Sequence, residues 1–362
     1  MSCRFLNTIF LPKSPKKAIF VRENSMNMGM EIRKPQIAKD IETDNCFDFL
    51  RFFLALSVFF SHYDVLHGSS LLNYPIPTPR SVGAFFVISG LLIYRSYCRS
   101  NTLKRYFEKR ARRIFPAYIL IVILSSILFS AFSSLSVGEY YSSPDLWKYL
   151  AANLSTMNFL HPSLPGVLDG EAVNPSLWTI KVELLLYLAV PILASFFLEK
   201  HRWFSLVIAV LSSLTAVFFS RTADVTGVAA YDLVGKWISL VSYYMVGVSL
   251  FLYREEMCRI KWYLLLPALA LSALNGYAVD CFRPFAIGAL VYFVAFTLPY
   301  LNKFGRIGDL SYGIYIFHAP IINLTICMGW EVNLRMFAIT LSLVLLVAFL
   351  SWHLLEKKML SR

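Results

Sequence analysis

The sequence predicts an all-α, polytopic membrane protein of about ten transmembrane helices with both termini cytoplasmic, and three observations predict it. The 362 residues are 57% hydrophobic and 15% charged, where a soluble domain carries roughly 25% charged residues, and mean hydropathy is +0.59. Ten apolar runs are long enough, or nearly so, to cross a hydrocarbon layer of roughly 30 Å. The basic residues fall between those runs, so the net charge of +12 reads as topology and not as a nucleic-acid surface.

Residues 1–46 are polar and basic, are interrupted by Pro12, Pro15 and Pro35, and lack the apolar core of a cleaved signal peptide. They are expected to form a basic cytoplasmic tail, a candidate for disorder. Spans are expected near 47–63, 82–98, 113–136, 174–198, 203–220, 231–253, 262–278, 284–301, 307–328 and 334–354. The segments placed inside hold 26 Lys and Arg against 5 outside (Arg80, Lys148, Arg221, Arg283 and Arg335), with Arg51, Lys181 and Lys236 within spans. That bias puts both ends in the cytoplasm and requires an even number of spans. A membrane domain is therefore expected over 47–358, with a short cytoplasmic end at 359–362.

The longest outer loop, 137–173, includes the stretch Trp147–Phe159, which reads either as an amphipathic surface helix or as a re-entrant segment over a cavity. No internal repeat points to the inverted halves common in transporters. The six cysteines, Cys3, Cys46, Cys98, Cys258, Cys281 and Cys327, stand singly without metal-ligand spacing and read as mostly free thiols, with a Cys281–Cys327 bridge left open at the outer face. No metal site is expected.

Within the first span, Asp48, Arg51 and His62 interrupt a run otherwise suited to lipid, where burying an ionisable group costs at least ~2.5–3.5 kcal/mol. Arg51 and His62 are eleven residues apart, which on a helix brings them within roughly 20° of one direction and about 16 Å apart along the axis. Asp48 falls near the same face. Either end alone reads as an interfacial anchor; the groups together on one narrow face read as a site turned away from lipid.

Of the basic cluster between Arg95 and Arg113, most reads as positive-inside signalling or headgroup attraction. Arg110 and Arg113 differ, because they stand at i and i+3 at the mouth of the third span and could grip phosphate as a pair. In the fourth span Glu183 is read three ways: paired with Lys181 or Arg51 as glue, holding a sugar hydroxyl, or orienting His62. In the ninth span Ser311, Tyr315 and His318 share a face. Tyr312 and Tyr315 read as packing or interfacial aromatics, and His318 as a candidate second to His62.

At these residues the chain resembles acyltransferase family 3, the integral-membrane acyltransferases that include bacterial O-antigen, exopolysaccharide and Nod-factor O-acetylases. The resemblance runs from about residue 44 to 358 and rests on FDFLRFFLALSVFFSH with Arg51 and His62, VGAFFVISGLLI with Ser89 and Gly90, and KRARRIFPAY with Arg110 and Arg113. SLWTIKVELLLY with Glu183, LSYGIYIFHAP, and LSWHLLEK with Glu356 complete it. Lys181, Phe317 and Lys357-Lys358 depart from the family's usual residues.

The resemblance implies a membrane O-acyltransferase in the cytoplasmic (inner) membrane of a bacterium. Its donor would be acyl-CoA, usually acetyl-CoA, on the cytoplasmic side, and its acceptor a hydroxyl of a cell-surface carbohydrate or lipid-linked glycan. His62, Arg51 and Asp48 are then expected at the chemistry, with Arg110 and Arg113 on the CoA phosphates and Glu183, Ser311 and His318 on the substrate. His62 would act as general base or carry the acyl group itself, Arg51 would contact the donor or neutralise Asp48, and amides around Ser89 and Gly90 would stabilise the oxyanion. Two rivals are a glycolipid transporter or flippase without acyl transfer, which also uses intramembrane charges, and a scaffold whose charges only pair helices.

Overall fold

The computed structural model describes residues 45–360 apart from 75, 299, 300, 302, 303, 306 and 307. Of the expected tail only Asn45 and Cys46 are among them, and of the expected short end only Met359 and Leu360. The chain folds as helices α1 (Phe47–His67), α2 (Thr78–Arg99) and α3 (Leu103–Leu128), then two short helices in the outer loop, α4 (Val137–Ser142) and α5 (Pro144–Leu154). After these come α6 (Trp178–Leu193), α7 (Phe204–Thr226), α8 (Ala229–Leu252), α9 (Arg254–Ala273) and α10 (Tyr277–Thr297). Helices α11 (Ser311–Cys327) and α12 (Leu334–Ser351) and a last turn, α13 (Lys357–Leu360), close it. No strand occurs among the described residues.

Among the described residues, eight helices are long and apolar enough to cross a membrane: α1, α2, α3, α6, α7, α8, α10 and α12, some extended by flanking turns. The other two segments expected to span fall short for separate reasons. Helix α9 begins with Arg254, Glu255, Glu256, Arg259 and Lys261, and α11 has 17 residues, about 26 Å at 1.5 Å per residue against roughly 30 Å of hydrocarbon.

Local chemistry sets the helix ends. Cys46 opens α1, its N–H bonded to the Ala295 carbonyl at 3.0 Å and its thiol to that of Val294 at 3.2 Å, so α1 starts against α10. Gly68, at φ 59°, closes α1 in the left-handed conformation that a side chain resists. Pro79 sits in the first turn of α2, where its missing N–H costs nothing. Thr102 caps α3 through Arg105 N–H at 3.2 Å, and Ser136 with Glu139 forms a capping box on α4.

Helix α2 is the most enclosed span, with 72% of its apolar stretch buried, whereas α7 and α12 reach only 22%. It packs along α8 and beside α1 and α10, while α1 packs on α11. The α2–α8 crossing is possible because neither helix carries a side chain there. A Cβ on Gly90 would lie 2.0 Å from the Tyr244 carbonyl, and one on Gly247 would lie 2.0 Å from that of Val87. The long outer loop takes the amphipathic option: α5 buries Leu146, Tyr149 and Asn153 against α3 and exposes Trp147. Tyr118 pins it by donating to the Asn153 carbonyl at 2.8 Å. Cys281 and Cys327 are both free thiols, as are Cys46, Cys98 and Cys258, so the bridge left open by the sequence is not made.

Candidate active site

Two polar clusters sit at opposite ends of α1, named inner (Arg51) and outer (His62) after the orientation expected from charge. At the basic, inner end, the Asp309 carboxylate lies between two guanidinium groups, 3.2 Å from Arg51 Nη1 and 2.5 Å from Arg113 Nη2. Arg51 is also paired with Asp48. Arg113 lies 3.5 Å from Glu356, which in turn accepts from Ser351 at 2.8 Å. Buried charges of one sign need such partners, since an uncompensated one costs several kcal/mol.

Asp48 is thus an inner-end partner of Arg51, about 21 Å along the helix from His62. Ser311 gives its hydroxyl to Asp309 at 2.5 Å and so belongs to this end as well. The Arg110–Arg113 pair divides its work: Arg113 is tied to carboxylates and stacks near Tyr312 and Trp352. Arg110 makes one bond to Ser96 Oγ at 3.3 Å, lies 5.9 Å from the Tyr187 ring, and leaves its buried Nε without a partner.

Glu183 accepts from Ser89 at 3.1 Å and from Tyr187, facing the inner cavity rather than His62. Lys181 turns the other way, its ammonium 4.0 Å from the Phe159 ring and 4.5 Å from that of Trp237. Ser89 and Gly90 lie in the middle of α2, where backbone N–H groups are used by the helix ladder. The expected oxyanion role for those amides therefore has no free donor. The hydroxyl of Ser89 remains, bonded to Glu183.

At the outer end, His62 Nδ1 lies 2.8 Å from His318 Nε2, with the two rings 5.0 Å apart. Their polarity follows from their partners. His318 Nδ1 is 3.1 Å from the Ile314 carbonyl, an acceptor only, so that nitrogen carries the proton. With His318 neutral, the single lone pair on its Nε2 accepts the Nδ1–H of His62 at 2.8 Å, and the Ser176 hydroxyl lies 3.2 Å from the same nitrogen. The proton of His62 is fixed on Nδ1, and its Nε2 keeps a free lone pair.

Sequence reasoning missed Asn174 and Ser176, although a signal was present. Pro320 has no N–H to give Ile316 four residues back, and Asn174 Nδ2 supplies the missing donor at 2.9 Å. Asn174 Oδ1 then accepts the Ser176 N–H at 3.2 Å, setting the turn that presents Ser176 to His318.

A cavity adjoins each cluster. The inner one, about 160 Å³, is lined by Arg51, Arg110, Arg113, Ser89, Glu183 and Tyr187 among others. The outer one, about 650 Å³, is lined by His62, Ser176, Trp178, Arg80, Lys236 and Tyr243 among others. Val82 and Tyr315 line both, so Tyr315, read from sequence as packing, stands between the two. Among the described residues no group of three His, Cys, Asp or Glu is arranged to hold a metal ion.

Residues 44–354 match acyltransferase 3, a family described as "Acyltransferase domain". The chain belongs to the acyltransferase 3 family. It is similar to "Nodulation protein 10" of Rhizobium leguminosarum bv. viciae, at 29% identity over 348 residues, covering 86% of this chain and 92% of that protein. It is also similar to the "O-acetyl transferase" of Shigella phage Sf6, at 28% over 340 residues, covering 88% and 96%. No solved structure gives a significant match.

In this acyltransferase 3 chain the membrane helices carry both clusters, so the protein is a multi-pass membrane acyltransferase. In the inner cavity the unpartnered Nε of Arg110 suits an anionic ligand, and an outer cavity holding an imidazole suits proton abstraction.

Proposed function

We propose that the protein is an O-acyltransferase of a bacterial cytoplasmic membrane. It takes an acyl group, acetyl in the first instance, from acyl-CoA on the cytoplasmic side and passes it to a hydroxyl of a cell-surface carbohydrate such as O-antigen, exopolysaccharide or capsule. The observation that carries this reading is the histidine pair beside the outer cavity, His62 Nδ1 lying 2.8 Å from His318 Nε2; with His318 neutral this pairing leaves His62 Nε2 as the available base. The name of the phage relative, an O-acetyl transferase, is in keeping with it.

On the donor side, the buried Arg110 Nε without a partner is the feature that fits a phosphate oxygen. Arg51 and Arg113 line the same cavity but are paired with Asp48, Asp309 and Glu356, so Arg110 is the guanidinium offered to the donor. On the acceptor side, Trp178 gives the outer cavity an apolar surface for a sugar ring.

The acceptor hydroxyl loses its proton to His62 Nε2 as its oxygen attacks the thioester carbonyl. The new C–O bond forms, the C–S bond breaks, and the imidazolium returns its proton to the departing thiolate. His318, accepting from His62 Nδ1–H, holds the ring in the tautomer this requires.

The test is transfer of label from radiolabelled acetyl-CoA to total glycolipid and polysaccharide of the host by purified protein, comparing wild type with His62→Ala at matched folding. Labelled glycan from the wild type, with a loss of roughly 10²-fold or more in the variant, is the expected result. Equal transfer by both proteins would contradict the role of His62. No transfer by either, with acyl-CoA-independent movement of glycolipid, would support a flippase instead.

A further inference from the structure

Val82 of α2 and Tyr315 of α11 border both cavities, and no other residue is common to the two linings. If the cations at the inner mouth hold the donor's phosphates and His62 acts at the outer side, the acyl thioester has to reach the histidine through this junction. The inference therefore rests on the acyl-transfer reading above. Its own content is the identity of the two side chains and what they do to the acyl group.

Both walls of the junction are held. Tyr315 is fixed at its hydroxyl, 2.7 Å from Thr179 Oγ1 and 3.3 Å from the Ser176 carbonyl. Phe85 meets its ring edge-to-face with centroids 5.9 Å apart. Opposite it, Val82 is 5% exposed on a helix that cannot retreat: a Cβ on the adjacent Gly83 would already lie 2.7 Å from the Tyr243 ring. Further along, the Gly90 and Gly247 contacts lock α2 onto α8. Neither wall gives way easily, and packed interiors resist the insertion of even one methylene.

We infer that Val82 and Tyr315 set the length of acyl chain this enzyme transfers: the thioester carbonyl reaches His62 while its acyl tail is lodged between these two rigid walls, where a short tail fits and a longer one does not. Discrimination resides in the passage and not in the phosphate grip, so it acts on transfer and leaves the binding of CoA alone. The same Ser176 that anchors Tyr315 through its carbonyl touches His318 through its hydroxyl, which ties the passage to the base.

The experiment measures transfer from acetyl-, butyryl- and hexanoyl-CoA to the total host glycan extract, with CoA binding followed by calorimetry on the same detergent-purified protein. Wild type is expected to use acetyl-CoA well and hexanoyl-CoA hardly at all. Val82→Ala widens the passage and raises the butyryl-to-acetyl rate ratio by about tenfold, the discrimination that one or two methylenes command in an apolar site. Val82→Ile narrows it and lowers the ratio, so the inference survives misfolding of either variant alone. CoA affinity stays the same throughout. Equal use of hexanoyl and acetyl by the wild type, or one ratio common to all three proteins, would overturn the inference while leaving acyl transfer standing. Absence of transfer from every thioester would overturn the acyl-transfer reading itself, and this inference with it.

Discussion

At the scale of single residues, the histidine pair makes the sharpest claim, because the Ile314 carbonyl can only accept and so puts the proton of a neutral His318 on Nδ1. His318 acts through His62 and is a positioning residue. His318→Ala is expected to lower kcat about tenfold, part of the roughly 10²–10⁴-fold that a general base supplies, with KM for both substrates unchanged; a fall in KM-dependent terms alone would assign it to binding. Asp309 makes the corresponding claim at the inner end. Asp309→Asn removes the charge shared by Arg51 and Arg113 and should cost about 3 kcal/mol, the lower end for breaking a buried ion pair, since Asp48 and Glu356 remain. Thermal unfolding in detergent reads it directly. Arg51, His62, Arg110, Arg113 and Glu183 stood out in the sequence because charge inside an apolar run is conspicuous. Asp309 did not, since a carboxylate in a short turn has no pattern of its own, and its partners lie 258 and 196 residues away in the chain. Ser176 was hidden likewise; hydroxyls are common at helix starts, and only the Pro320 gap in α11 explains why one is held there.

At the scale of elements, helix contacts that admit no side chain govern the bundle. Gly90→Ala would drive a methyl group into the Tyr244 carbonyl and should destabilise by about 1–3 kcal/mol or more, because α2 and α8 must separate. Gly138 on α4 has open space around its Cα, so Gly138→Ala should stabilise by about 0.5–1 kcal/mol through lost chain freedom alone. Opposite shifts in midpoint temperature for the two Gly→Ala changes check both statements. Hydropathy made the apolar helices legible near their expected positions, because lipid demands long runs whose backbone groups are satisfied within the helix. It also marked the segments of α9 and α11 as spans, where the structure has one helix charged at its start and the other short. Which helices touch was not legible: the small residues at 83, 90 and 247 mark close approach, but nothing local says to which partner.

At the scale of the whole molecule, charge asymmetry, the two cavities and the two clusters align along one axis. The end of α1 that carries Arg51 lies with the Arg110 and Arg113 mouth, and the end that carries His62 opens on the cavity bounded by Arg80, Lys236 and Trp178. On the proposed mechanism, acyl donor and acceptor enter from opposite faces and meet at His62. The decisive experiment uses proteoliposomes of uniform orientation, with radiolabelled acetyl-CoA supplied only on the face bearing Arg110 and glycan extract enclosed only on the other. Labelled glycan is expected on the His62 side with wild type, and none with His62→Gln at unaltered CoA binding. Product formed only when both substrates share one face, or equal product from His62→Gln, would contradict that mechanism.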